Sequence, residues 1–197
     1  ISTYFDYLKG LGFLSRHGES YMANQSVNGL INRFFSIKDP TAYNNDYWRR
    51  NYPPYNPWVY YGTLISSLMI VVLCLIGGKN KTGYLAQVDF CLMSLGATMA
   101  SPIAWEHHYG IMLPVFAMLW PFFWLGKTGF NSLFYQVVFL GLYLISSNIF
   151  PFTSYLAPTY LNFVQSYLLF AAAGLFLLLL KVRQSRYDSP VVFVIAG

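Results

Sequence analysis

Five long apolar runs constrain what this chain of 197 residues can fold into. They cover approximately residues 57–76, 84–100, 109–125, 133–150 and 161–180. About 20 helical residues cross a bilayer core of roughly 30 Å, so each run is long enough to predict a membrane helix. Only 10% of the residues are charged, against roughly 25% in a soluble domain. The sequence therefore predicts an all-α, polytopic membrane protein with about five transmembrane helices.

Three regions follow from the positions of these runs. Residues 1–56 are of mixed polarity, and the stretch NYPPYNPW at residues 51–58 closes this region, because its prolines cannot continue a helix. This segment is expected to lie outside the membrane. Residues 57–182 are expected to form the transmembrane bundle, and residues 183–197 a cytoplasmic tail.

The distribution of lysine and arginine orients the predicted bundle, because cytoplasmic loops carry an excess of these residues. Alternate ends of the runs carry Lys79, Lys81, Lys127, Lys181, Arg183 and Arg186, whereas the other short loops carry none. Residues 1–56 and the loop SPIAWEHH should therefore face the periplasm or the cell exterior. Residues 1–56 nevertheless hold as many positive charges themselves, which suggests an anionic ligand on that side: Lys9, Arg16, Arg33, Lys38, Arg49 and Arg50.

The net charge of +5 is interpreted in the same setting. In a membrane protein it is expected to attract anionic lipid or a phosphate group rather than nucleic acid. Cys74 and Cys91 are the only cysteines, and both lie inside apolar runs. They indicate neither a disulfide framework nor a metal site, and no cofactor is expected.

The stretch NQSVNGLINRFF predicts an amphipathic helix over residues 24–36. Its apolar residues recur at helical spacing on one face, whereas the other face carries amides and Arg33. With Asn24 as its N-cap, this helix is expected at the membrane interface with its polar face in water. An ordinary solvated face is one interpretation. The other interpretation is a substrate-binding face, because amides pair well with sugar hydroxyls. Arg16 would add a further cation to its candidate residues, which are Asn24, Gln25, Ser26, Asn28 and Arg33.

The loop SPIAWEHH, residues 101–108, is the second polar stretch. Ser101 and Pro102 form a typical helix start, so the third membrane helix is expected to begin either there or at Tyr109. A start at Ser101 would place Trp105 and His108 on the same face as Ser101. It would also turn the positive end of the helix dipole towards an anion such as a phosphate. Ser101 and Trp105 are therefore further substrate-binding candidates.

Glu106, His107 and His108 are the candidate catalytic residues. Ionisable groups at membrane depth are more often functional than decorative. Adjacent histidines lack the i, i+4 spacing of a helical zinc pair, so no metal is predicted. The alternative is an aromatic-belt loop in which the histidines are simply solvated.

Asp89 is a further candidate, an acidic residue inside an apolar run. It lies about 18 Å along a helix from Ser101, too far to share a site with the histidines. A structural hydrogen bond or salt bridge inside the bundle is expected, and a place on an ion path is the alternative.

Both polar stretches resemble motifs of glycosyltransferase family 87, a group of polytopic membrane enzymes in the GT-C superfamily. STYFDYL, NQSVNGLINRF and SPIAWEHHY carry the resemblance, in this order, over most of the chain. Ala23 and Ala104 stand where the family usually has glycine and serine. The matching residues are Asn24, Gln25, Ser26, Gly29, Arg33, Ser101, Pro102, Ile103, Trp105, His107 and His108.

This resemblance implies an inverting hexosyltransferase of the bacterial cytoplasmic membrane. A sugar, mannose by analogy, would pass from a polyprenyl-phosphate donor to a lipid-linked or cell-surface glycan on the external face. His107 and His108 would contact the donor phosphate or the acceptor, with Arg33 or Arg16 as a guanidinium partner for phosphate. Glu106 would orient a histidine or a hydroxyl. The catalytic base of such enzymes, an acidic residue in the first external loop, is expected upstream of Ile1, which would leave this chain the C-terminal part of the site.

Two other functions are compatible with the sequence. A transporter or channel component would use Asp89 and the histidines along a pathway, with one helix interrupted at Pro114 and Pro121. No internal repeat supports it. Another GT-C activity, such as arabinosyl or glucosyl transfer or glycan ligation, would use the same residues.

Overall fold

The computed structural model describes residues 2–19, 21–35, 53–76, 83–124, 130, 132–147, 151–156 and 158–184. Seven α-helices lie in these ranges: α1 Ser2–His17, α2 Val27–Phe35, α3 Pro57–Leu75, α4 Tyr84–Ala100, α5 Met112–Trp124, α6 Leu133–Ser146 and α7 Tyr167–Gln184. Three short 3₁₀ helices accompany them: η1 Glu106–Ile111, η2 Pro151–Leu156 and η3 Asn162–Ser166. Within the described residues, an isolated bridge between Asn24 and Trp105 is the only extended pairing. The predicted all-α class is confirmed for this part of the chain.

The start of α3 follows directly from its sequence. Asn56 is the N-cap, and its Oδ1 accepts a hydrogen bond of 2.9 Å from the backbone N–H of Trp58. Pro57 occupies the first helical position, where its missing N–H costs nothing. The apolar run after NYPPYNPW therefore becomes a helix at the predicted residue.

The expected helix start at Ser101 is wrong. Ser101 is the C-cap of α4, with an extended backbone at φ −65° and ψ 135°. Proline disfavours the helical conformation in the residue before it, so Pro102 ends α4 instead of opening the next helix. The chain then runs extended to Trp105 before η1 begins, and α5 follows. This agrees better with the other predicted start, at Tyr109.

The hydrophobic core lies among α4, α5, α6 and α7. α3 packs against α4, while α4 and α6 both pack against α7. The most deeply buried apolar side chains come from all four core helices and include Leu92, Leu95, Leu119, Phe123, Phe139 and Leu175. α5 continues through Pro114 in its first turn and Pro121 in its last turn. The expected interruption is absent from α5. Pro114 lies in the first turn, where no helical hydrogen bond is lost, and Pro121 removes a single hydrogen bond without ending the helix.

Two described helices are long and apolar enough to cross a membrane. α3 has 19 residues with a mean hydropathy of 1.9, and the continuous segment Asn162–Gln184 has 23 residues with 2.1. α6 is apolar but shorter, at 14 residues. α3 also exposes an apolar flank that includes Leu64, Ile65, Leu68 and Met69. These features favour membrane association, and all five predicted apolar runs form helices near their predicted positions.

Asp89 forms the salt bridge expected of it. Its Oδ1 lies 2.7 Å from Nε of Arg183, and both side chains are largely buried. Nη1 of Arg183 also donates to the carbonyl of Leu73 at 3.2 Å. Arg183 therefore lies in α7, which continues to Gln184, and not in the predicted tail. Asp89 compensates its charge inside the bundle.

Most charges that oriented the bundle lie outside the described residues, namely Lys79, Lys81, Lys127 and Arg186. The same holds for residues 185–197 of the predicted tail and for residues 36–52 of the predicted external segment, with Lys38, Arg49 and Arg50.

Candidate functional site

The polar face of α2 points into the protein. Asn28, Asn32 and Arg33 are buried, whereas Phe34 and Phe35 are each 50% exposed. The predicted orientation, with amides in water, is therefore wrong, and the helix begins at Val27 instead of Asn24. Helical periodicity identifies two faces but does not say which one is buried. A polar face can be buried when other polar groups satisfy it.

The amides of α2 satisfy one another and the neighbouring helices. Nδ2 of Asn28 donates to Oγ1 of Thr63 on α3 at 3.2 Å, and Nδ2 of Asn32 donates to Oδ1 of Asn28 at 2.8 Å. Leaving such groups unpaired would cost about 1–3 kcal/mol each. The network therefore fixes α2 against α3.

Arg33 is fully buried and joins three parts of the chain. Its Nη1 donates to the carbonyl of Tyr21, and its Nη2 donates to the carbonyl of Asn24, both at 3.1 Å. Nη2 also donates to Oγ of Ser166, just before α7, at 2.5 Å. The guanidinium thus links α2 to the loop of Tyr21 and Asn24 and to the end of η3. These buried polar contacts are the framework of the site.

The two predicted polar stretches pair with each other. The backbone N–H of Gln25 donates to the carbonyl of Ala104 at 2.7 Å, and Oδ1 of Asn24 accepts from the N–H of Ala104 at 3.1 Å. Oγ of Ser26 donates to the carbonyl of Pro102 at 2.8 Å. The structure therefore brings NQS and SPIAW together, which is compatible with the prediction that both stretches lie on one side of the membrane.

Gln25 extends this contact to the start of α7. Its Nε2 donates to the carbonyl of Gln165 at 2.7 Å, and its Oε1 accepts from the N–H of Leu168 at 3.2 Å. The hydroxyl of Tyr109 donates to the carbonyl of Gln25 at 2.7 Å.

Gly29 is required where α2 passes this pairing. A Cβ at this position would lie 2.3 Å from the backbone carbonyl oxygen of Asn24. We expect Gly29→Ala to lower the free energy of unfolding by about 2 kcal/mol, because a backbone atom must move. Unfolding in detergent micelles measures the loss. Gly10→Ala on α1, with nothing within 4 Å of the new Cβ, is the matched control and should not destabilise. Equal stabilities of the two variants would contradict this explanation.

A cleft of about 450 Å³ opens beside η1, between α5, α6 and the start of α7. Its apolar lining includes Met112, Leu113, Phe116 and Leu168. Its polar lining comprises Glu106, His107, Tyr109, Tyr143, Ser146 and Ser147. A ligand with both an apolar and a hydrogen-bonding part fits such a lining.

The two adjacent histidines lie at the exposed side of η1. Their ring centroids are 4.2 Å apart, and the ring of His107 meets Trp105 at 82°. Nδ1 of His108 accepts from the backbone N–H of Trp105 at 2.9 Å. Because a backbone N–H can only donate, this bond gives the neutral ring of His108 its proton on Nε2. His108 therefore presents an N–H donor to solvent.

The predicted site residues separate into two groups. Glu106 and His107 line the cleft, and His108 and Trp105 adjoin them at the surface. The other candidates do not line the cleft. Asn24, Gln25, Ser26, Asn28 and Arg33 are buried in the framework, Ser101 donates to the carbonyl of Ile103, and Arg16 is exposed in the last turn of α1.

Sequence reasoning missed Glu19, whose Oε2 accepts from Nε1 of Trp105 at 3.0 Å. It also missed Tyr143, Ser146 and Ser147 in the cleft lining. The scarcity of acidic residues, seven in the whole chain, was the one available signal for Glu19. No sequence signal marks the α6 residues, because Tyr and Ser are unremarkable near the end of an apolar helix.

No family model, no curated protein and no solved structure matches the chain.

Proposed function

We propose that this protein is part of a GT-C-like membrane glycosyltransferase. It transfers a sugar, mannose by the sequence resemblance, from a polyprenyl-phosphate donor to a hydroxyl of a lipid-linked or cell-surface glycan. The observation that carries the proposal is the cleft, whose apolar lining meets Glu106 and His107 at one place. A lipid-linked phosphate needs apolar contacts for its chain and hydrogen-bond donors for its head.

The transfer is a single inverting displacement. The acceptor oxygen forms a bond to the anomeric carbon while the bond from that carbon to the phosphate oxygen breaks. The electron pair of the broken bond leaves with polyprenyl phosphate, and the proton of the acceptor hydroxyl passes to a carboxylate base. His107 and His108 would donate hydrogen bonds to the departing phosphate, where negative charge develops. Glu106, with Oε1 buried beside the cleft, would orient a histidine or the acceptor hydroxyl.

Replacing His107 and His108 together by alanine should lower the rate of sugar transfer at least about 100-fold. Each charge-assisted hydrogen bond to phosphate contributes about 1.5–3 kcal/mol, and 1.4 kcal/mol corresponds to tenfold. The measurement is transfer of radiolabelled sugar from polyprenyl phosphate, in membranes of cells that express the protein from its natural gene.

His17→Ala is the matched control. His17 is the third histidine, and its Nδ1 contacts the carbonyl of Pro53 at 3.0 Å, away from the cleft lining. Transfer per folded molecule should remain close to the wild-type rate. Undiminished transfer by the double variant at normal expression would refute the roles of the two histidines. Absence of transfer by the unaltered protein would refute the function itself.

A further inference from the structure

We infer that Glu19 and Trp105 form a saccharide-binding edge beside the cleft, which recognises the acceptor glycan through one apolar ring face and its hydroxyl groups. This inference rests on the proposed function and extends it to a residue that the sequence motifs do not include. Glu19 and Trp105 lie 86 residues apart in the sequence, and the fold brings the carboxylate of the first to the indole of the second.

The contact between the two side chains is at the edge of the indole. Oε2 of Glu19 lies 3.0 Å from Nε1 of Trp105, and the tryptophan is 41% exposed. Nε1–H lies in the plane of the ring and is its single donor. The bond therefore orients the indole without itself covering either of its faces, and the ring of His107 makes a T-shaped contact with the indole at a centroid distance of 5.8 Å.

Buried amides hold the backbone of Glu19 on both sides. Its N–H donates to Oδ1 of Asn28 at 3.3 Å, and its carbonyl accepts from Nδ2 of Asn24 at 2.9 Å. Both asparagines are fully buried. Gly18 makes the turn at φ +62°, where a Cβ would lie 1.6 Å from Oδ1 of Asn28. The amides of Asn24 and Asn28, which were predicted to bind a sugar, thus position the residue whose carboxylate contacts Trp105.

The chemistry of this edge suits a neutral saccharide better than a phosphate. A carboxylate repels an anion but accepts hydrogen bonds from hydroxyls, and its two oxygens offer about four acceptor positions. A pyranose ring presents C–H groups on one face, which pack against an aromatic ring. The donor phosphate is therefore left to the histidine side of the cleft and the acceptor sugar to Glu19 and Trp105.

The test compares acceptor binding and acceptor kinetics in two variants of the protein in lipid nanodiscs. Glu19→Gln keeps an oxygen acceptor for Nε1 of Trp105 but removes the charge, and Trp105→Leu removes the aromatic face. We expect each to raise the dissociation constant for a soluble trimannoside, measured by calorimetry, about tenfold. The KM for the acceptor should rise by a similar factor, whereas the KM for the polyprenyl-phosphate donor should not change.

The matched controls are Asp6→Asn and Trp58→Leu, which alter an exposed carboxylate on α1 and an exposed tryptophan at the start of α3. They should leave trimannoside binding unchanged. An unchanged dissociation constant in folded Glu19→Gln and Trp105→Leu would overturn the inference, even if the unaltered protein transfers sugar. A large fall in kcat with an unchanged acceptor KM would also overturn it, since Glu19 would then act on the reacting atoms. Trimannoside binding that both variants lose, in a protein without transferase activity, would support the inference while refuting the proposed transfer.

Discussion

Replacing Arg33 by methionine should lower the free energy of unfolding by about 4 kcal/mol, because two buried acceptors and one part-buried acceptor lose a charged donor. These are the carbonyls of Tyr21 and Asn24 and the hydroxyl of Ser166. Methionine fills a similar volume, so the loss reports on hydrogen bonding more than on a cavity. Chemical unfolding in detergent micelles, followed by tryptophan fluorescence, gives the value.

Two further variants sharpen the Arg33 experiment. Arg33→Lys keeps the charge but cannot reach three acceptors with a planar fork, so an intermediate loss is expected. Arg16→Met makes the same change at an exposed position of α1 and should shift stability by less than about 0.5 kcal/mol. A loss below about 1 kcal/mol for Arg33→Met would show that the guanidinium does not hold the loop of Tyr21 and Asn24 to the start of α7.

The second large effect is expected at the ion pair between Asp89 and Arg183. Asp89→Ala removes the carboxylate that lies 2.7 Å from the buried guanidinium. Breaking a buried pair at one partner costs about 3–5 kcal/mol, since the other charge remains in the interior. Unfolding in detergent micelles measures this loss of free energy. The reason is that the pair joins α4 to α7, and Arg183 also contacts α3.

Removing both charges should restore most of the stability. In Asp89→Leu with Arg183→Met, apolar side chains replace both ions, which is often neutral or stabilising. The exposed pair of Asp6 and Lys9 on α1, 3.9 Å apart, is the control, and Asp6→Ala should cost at most about 1 kcal/mol. If the double variant were as unstable as Asp89→Ala, the single-site loss would not come from the uncompensated charge.

The helical framework was predictable because its determinants are local. An apolar run of about 20 residues predicts a helix from its length and composition alone, and Asn56 with Pro57 marks the start of α3 in the residues themselves. The salt bridge of Asp89 was predictable for the same reason, since a carboxylate inside an apolar run needs a partner. Its identity was not predictable, because Arg183 lies on a helix far along the chain.

Two errors show where local reasoning ends. Ser-Pro is compatible with the end of one helix or the start of the next, and the pairing of Ala104 with Asn24 and Gln25 selects the extended form. The polar residues of α2 recur at the same helical spacing whether their hydrogen-bond partners are water molecules or buried protein groups, so the spacing does not predict which face is buried. Packing against Thr63 and Ser166 decides in favour of the interior.

By itself the sequence determined that this protein is helical, that its helices follow the apolar runs, and that Glu106, His107 and His108 stand together in an apolar setting. Each of these depends on residues that are neighbours in the chain. Only the tertiary structure decided that the NQS amides are buried, that α5, α6 and α7 enclose a cleft beside the histidines, and that Glu19 meets Trp105. These depend on hydrogen bonds and packing between distant segments, whose partners are set by how the helices assemble and leave no period in the sequence.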